Sequence, residues 1–113
     1  MEILDIVSIF VAFKKKADGK IRPVLIVKDS ADIFYAYAIT SQYENKSKQI
    51  QSQYYQIRDW KNAGLMKPSW IDGKSLHGFH KNQSSINRII GKLSDNDTQC
   101  FAEFLKEIEF ADK

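Results

Sequence analysis

Apolar residues fall along this chain in short blocks separated by turn-forming residues, with no long periodic run. Asp5 to Phe13 is rich in Ile, Val and Phe, and its length and β-branched content predict a largely buried strand. A lysine-rich segment with a turn at Asp18-Gly19 closes a hairpin into a second strand, Arg22 to Lys28, built on Val24-Leu25-Ile26-Val27. Pro23 is tolerated there only near the strand's start or on an edge, because proline has no N–H for the ladder. Asp29-Ser30-Ala31-Asp32 predicts a turn and Ile33 to Thr40 a third strand.

Ser41 to Ser52 is Gln-, Asn-, Lys- and Ser-rich and shows no apolar period, so it reads as a long polar loop or a ragged hairpin. Order resumes at Tyr54, Tyr55 and Ile57. A short helix is expected from about Arg58 to Gly64, where glycine can take the left-handed C-terminal position, and Lys67-Pro68 reinforces the break. Ser69-Trp70-Ile71-Asp72 reads as a strand that turns at Asp72-Gly73, Leu76 to Gln83 has no clear assignment, and Ile86 to Leu93 reads as a strand. Ser94 with Asp97 three residues on forms a shortened capping box, and Phe101, Phe104, Leu105 and Ile108 follow on one helical face. With no repeat and no dividing linker, residues 1–113 are expected to form one mainly β (α+β) domain with a short internal helix and a C-terminal helix.

Composition agrees with that reading: 113 residues, 43% hydrophobic and 27% charged, are typical of one globular domain. No stretch approaches the roughly 20 apolar residues of a membrane span, and the N-terminus lacks the basic flank of a signal peptide, so a cytoplasmic protein is expected. A single cysteine, Cys100, cannot form an internal disulfide and reads as a packing residue beside Phe101 and Phe104. The net charge of +3 is too small to imply nucleic acid by itself, but it is unevenly spread. Lys and Arg outnumber Asp and Glu 7 to 2 over residues 57–92, while the last 21 residues are acidic. Lys14-Lys15-Lys16, Lys20 and Arg22 cluster around the first turn, which is also how a solvated hairpin tip looks.

Candidate chemistry lies at the strand ends. Arg22, always charged, and the hydroxyls of Thr40 and Ser41 are the groups with which a protein can hold and polarise a phosphodiester without a metal. Taken alone, Arg22 is equally a surface partner for Asp18 or Glu44, and Thr40 an ordinary strand-end hydroxyl.

Several landmarks occur in a shared order: Asp5-Ile6-Val7; Gly19-Lys20-Ile21-Arg22-Pro23-Val24-Leu25-Ile26-Val27; Ala38-Ile39-Thr40-Ser41; Lys67-Pro68-Ser69-Trp70-Ile71; and Ile90-Gly91-Lys92-Leu93-Ser94-Asp95. In that order they resemble the PemK/MazF family of toxins over nearly the whole chain, with Asp59 to Leu65 looking like a longer-loop branch. The resemblance implies a small, twisted SH3-like β-barrel with a C-terminal helix, usually a homodimer. It implies the toxin component of a toxin-antitoxin system, a sequence-specific endoribonuclease that needs no metal or other cofactor and cuts single-stranded mRNA. Cleavage in such enzymes is by attack of the RNA's own 2′-hydroxyl, leaving a 2′,3′-cyclic phosphate and a 5′-hydroxyl. Implied partners are single-stranded RNA, a cognate antitoxin protein, and operator DNA only through that antitoxin, with no membrane.

By the same resemblance Arg22 would stabilise the phosphorane charge, and Thr40 would hydrogen-bond the scissile phosphate with Ser41 as neighbour or substitute. Lys15, Lys16 and Lys20 would contact phosphates. The chain departs from members that carry a histidine or acidic residue as a further acid or base, since its first loop offers only lysines and Asp18. His77 and His80 lie instead in the unassigned stretch, where His77 is a candidate for RNA contact or proton transfer. Of Tyr37, Tyr43, Tyr54, Tyr55, Trp60, Trp70 and Phe79, most are expected in the core. Tyr43, beside the polar loop, is the expected exposed stacking platform for a base. Two other readings stand beside the ribonuclease. One is a non-cleaving module on the same fold that binds RNA or inhibits a protein target such as DNA gyrase. The other is a metal nuclease built on Glu44-Asn45-Lys46 and Asp32.

Overall fold

The computed structural model describes residues 2–12 and 19–111, and among these the side chains of all but residues 11, 12, 19, 20, 110 and 111. The order of elements is β1 (Asp5–Ala12), β2 (Gly19–Asp29), β3 (Ile33–Thr40), α1 (Lys48–Gln51), β4 (Tyr54–Gln56), β5 (Trp70–His80), β6 (Ser84–Lys92) and α2 (Asp95–Ala111). The six strands form one antiparallel sheet in the order β4-β5-β3-β2-β1-β6. The mainly β class expected from the sequence is therefore the one observed. No helix among the described residues is long and apolar enough to cross a membrane.

Alternation along the strands sends apolar side chains to both faces. Ile6, Leu25, Ile39, Tyr55, Ile57, Ile71 and Leu93 pack with Phe101 of α2 on one face, joined by half-buried Tyr37, Cys100, Phe104 and Leu105. Val7, Ile9, Val24, Ile26, Phe34 and Ala36 form a second cluster on the other face, against which Phe79 packs. Pro23 stands one residue before the β2–β3 ladder begins at Val24↔Ala38, where its missing N–H breaks no bond to β3.

The sheet curls strongly. β5 and β6 are separated by three strands in the sheet, a flat distance of about 19 Å at normal strand spacing. Yet they are joined by a tight turn in which Gln83 N–H donates to the His80 carbonyl at 3.0 Å. Only curling brings those ends together. The curl stops short of the barrel that the family resemblance implies, because the edge strands β4 and β6 do not pair. A turn over residues 58–64 packs there instead: a Cβ on Gly64 would run into the Ile90 carbonyl, and one on Gly91 into the Ala63 carbonyl, so the two backbones touch.

That turn replaces the expected helix from Arg58, but its end is as anticipated. Gly64 has φ +91°, Leu65 N–H donates to the Trp60 carbonyl and Gly64 N–H to that of Lys61, which together make a Schellman closure. Asp97 fastens the turn to α2. Its carboxylate accepts from Tyr55 Oη at 2.6 Å, from the backbone N–H groups of Arg58 and Asp59 at 3.0 Å each, and from Ser94 Oγ at 3.1 Å. Ser94 caps α2 as predicted, its Oγ accepting from Asp97 N–H at 3.0 Å. Two further expectations change: the polar loop contains α1, capped by Ser47, and the supposed turn at Asp72-Gly73 lies inside the continuous strand β5.

Candidate functional site

A groove of about 960 Å³ opens on the face of the sheet that carries Val24 and Ala36. Its position follows from a fork in the sheet. Pairing of β2 with β3 ends at Val24↔Ala38, after which β2 continues along β1 as far as Ala12↔Gly19, while β3 continues along β5 to Thr40↔Trp70. Arg22 and Thr40 lie two residues beyond the last pair on their respective strands, on the same side as Val24 and Ala38, and both line the groove. The sequence-predicted pair is thus brought to one cleft from two separate strands.

Arg22 is exposed, and among the described residues no acidic side chain pairs with it; Glu44 in particular does not. Asp18, the other expected partner, lies outside the described residues. A guanidinium with no acidic partner has its fork of N–H donors for an anion. Thr40 is half-buried, and its Oγ1 accepts from Gln42 N–H at 3.0 Å. The bond fixes the oxygen and leaves the hydroxyl hydrogen for donation.

The rest of the groove is contributed largely by β5 and the turn after it. Asp72, Ser75, His77, Phe79 and His80 line it, with Asn82 and Gln83. His77 lies opposite Ala36 on the groove face, its ring 6.2 Å from that of Phe79, which in turn stacks on Phe34 at 5.3 Å. Asp72 and Tyr54 are cross-strand partners, and the Tyr54 phenol is held above its usual range by burial and then by the Asp72 charge. The groove therefore combines a cation, a carboxylate, two imidazoles and several hydroxyls, Thr40 and Ser75 among them, over an apolar floor.

Other predicted residues fall elsewhere. Ser41 does not line this groove. It lines a smaller cavity of about 200 Å³ with Ser8, Lys67 and Arg88, which Thr40 also borders. Tyr43 is half-buried rather than exposed, and its ring stacks on Trp70 at 4.6 Å and 5°, so one of its two faces is already occupied. Lys15 and Lys16 lie outside the described residues, and of Lys20 only the backbone, paired with Val11, is described. The proposed metal set does not assemble: Asp32 precedes β3 and Glu44 follows it, which puts the whole strand, about 26 Å, between them.

Sequence reasoning passed over Asp72, which it read only as a turn residue. The Asp-Gly pair carries a strong local turn signal, and nothing local shows that β4 pairs with Asp72 while β3 holds the residues on either side of the bulge. Comparison with known families finds no matching family model, and comparison with curated proteins finds no match.

Proposed function

We propose that this protein is a metal-independent endoribonuclease of the PemK/MazF toxin type, acting on single-stranded RNA in the groove between β2, β3 and β5. The observation that carries the reading is that Arg22 and Thr40, the two residues singled out by the resemblance, line one groove from neighbouring strands. Arg22 would bear on the non-bridging phosphate oxygens, where charge grows as the phosphorane forms. Thr40 would donate to the same phosphate and fix it for in-line attack by the adjacent 2′-hydroxyl. The P–O5′ bond then breaks, leaving a 2′,3′-cyclic phosphate and a 5′-hydroxyl. An antitoxin that neutralises the enzyme, and a homodimeric state, belong to the same proposal.

Purified protein incubated with a long single-stranded RNA in excess EDTA should yield discrete fragments with 2′,3′-cyclic phosphate ends. RNA left intact by folded wild-type protein contradicts the enzyme reading and favours the non-cleaving module. Cleavage that appears only with added magnesium contradicts the metal-independent route.

A further inference from the structure

β5 carries a large irregularity. Between Tyr37 and Ile39 the strand β3 advances two residues, whereas its partner runs from Leu76 to Ile71, so three extra residues of β5 bulge out. The bulge is closed by its own side chain: Asp72 Oδ1 accepts from Lys74 N–H at 3.0 Å and Oδ2 from the Ser75 hydroxyl at 2.7 Å. Bulges of this kind re-aim side chains and concentrate beside active sites. Here the effect is to shorten the distance along the sheet between Asp72 and His77. Asp72 follows Ile71, which is level with Ile39, and His77 is level with Ala36, so the two stand only about two strand steps, ~7 Å, apart. Both line the groove, with Ser75 between them. Thr40 is level with Trp70, so it stands one strand over and two steps along from Asp72, ~8 Å on the diagonal.

We propose that this bulge builds the proton-transfer pair of the site, with Asp72 as general base and His77 as general acid. The proposal rests on the ribonuclease reading above and supplies the base that Arg22 and Thr40 cannot. The Asp72 carboxylate takes the proton from the 2′-hydroxyl as the 2′-oxygen bonds to phosphorus. The P–O5′ bond breaks and its electron pair stays on the 5′-oxygen, which takes a proton from the His77 imidazolium. Asp72 is then protonated and His77 neutral, and exchange with solvent restores both. A carboxylate can only accept and an imidazolium only donate, which assigns the roles.

Among the described residues, the other charged or titratable groups facing this pair are Arg22 from β2, Tyr54 from β4 and His80 from β5, with Lys74 in the bulge itself. Among the described residues, the groove-lining residues of β1 and β3 and those of the β5–β6 turn carry no charge.

The test is single-turnover cleavage of RNA in EDTA as a function of pH, for wild type, Asp72→Asn and His77→Gln. Asparagine can still accept from Lys74 N–H and can donate to Ser75 Oγ, so a merely structural carboxylate would be replaced at little loss. The wild-type profile should be bell-shaped. Asp72→Asn should lose about 100-fold or more in rate and also lose the acid limb. His77→Gln should lose the alkaline limb. It should recover most of its rate on an RNA with a bridging 5′-sulfur at the mapped cut site, since a thiolate leaves without protonation; Asp72→Asn should not recover. His77 is exposed on its strand, so its variant tests the pair even if Asp72→Asn fails to fold. Wild type that cuts with a flat profile, or an Asp72→Asn variant that keeps both rate and acid limb, overturns the pair and leaves the ribonuclease reading standing. Wild type that does not cut overturns both.

Discussion

Asp97 is fully buried, and its charge is tolerated because four donors meet it: a phenol, two backbone N–H groups and the hydroxyl of its own capping serine. Burial pushes its carboxyl up, but the hydrogen bonds from Tyr55, Arg58, Asp59 and Ser94 outweigh that and hold it below the usual aspartate range. A carboxyl depressed in the folded state contributes stability that is present above its unfolded value and is lost as pH falls through its folded value. Asp97→Asn should therefore lower stability by about 2–4 kcal/mol near neutral pH, since one amide oxygen cannot serve all these donors. The variant should also lose less stability than wild type on acidification. Denaturant unfolding of both proteins at several pH values checks this, and parallel acid limbs would show that Asp97 is not the group responsible. Asp97 was legible as the third residue after an N-cap serine. Its bond to Tyr55, 42 positions away, was not, because a capping motif describes only local partners.

At the level of elements, β1, β2 and β3, which alternate or run apolar, were legible, and β5, which lines much of the groove, was not. β3 is observed over the predicted Ile33–Thr40, and β1 and β2 differ from their predicted spans mainly at their ends. β5 was read as a short strand, a turn and an unassigned stretch. Its Asp72-Gly73-Lys74-Ser75 segment has turn chemistry and bulges from the β3 ladder, and His77, Gly78 and His80 lack a strand's apolar alternation, so only pairing with β3 on either side of the bulge and with β4 at Asp72 keeps the strand running. Local sequence rules fail most where a segment serves a site. The segment over residues 58–64 reads as a helix in sequence because of its closing glycine and the Lys67-Pro68 break, and Ala63 N–H does bond the Asp59 carbonyl in helical fashion, but the turn closes at Gly64 before regular helix is established. Gly64→Ala combines a left-handed backbone with a clash against Ile90, and should cost about 1–3 kcal/mol, read as a lower denaturant midpoint with an unchanged m-value. An unchanged midpoint would mean that the turn does not fix the end of β6.

For the molecule as a whole, the curled but unclosed sheet leaves a groove whose cation and hydroxyl come from strands that part company at Val24 and Ala38. Both groups were visible in the sequence as strand-end residues. Their convergence depends on register and on the fork, which no local pattern encodes. If RNA lies in this groove, its affinity rests on phosphate contacts and must fall with salt. For three contacted phosphates on a single strand the loss is about 20-fold between 50 and 200 mM salt. Binding isotherms for a non-cleavable 2′-deoxy-substituted strand at several salt concentrations would measure it, and a salt-independent affinity would contradict phosphate contact.

The central claim is that Arg22 acts on the scissile phosphate, and the most direct measurement compares Arg22→Ala with wild type on long single-stranded RNA in excess EDTA, with fragment ends identified chemically. Arg22 is exposed, so its loss should leave the unfolding midpoint nearly unchanged. Wild type should produce 2′,3′-cyclic phosphate and 5′-hydroxyl ends, and Arg22→Ala should cut at least about 100-fold more slowly. Equal cutting by the two proteins, or none by folded wild type, would contradict the account.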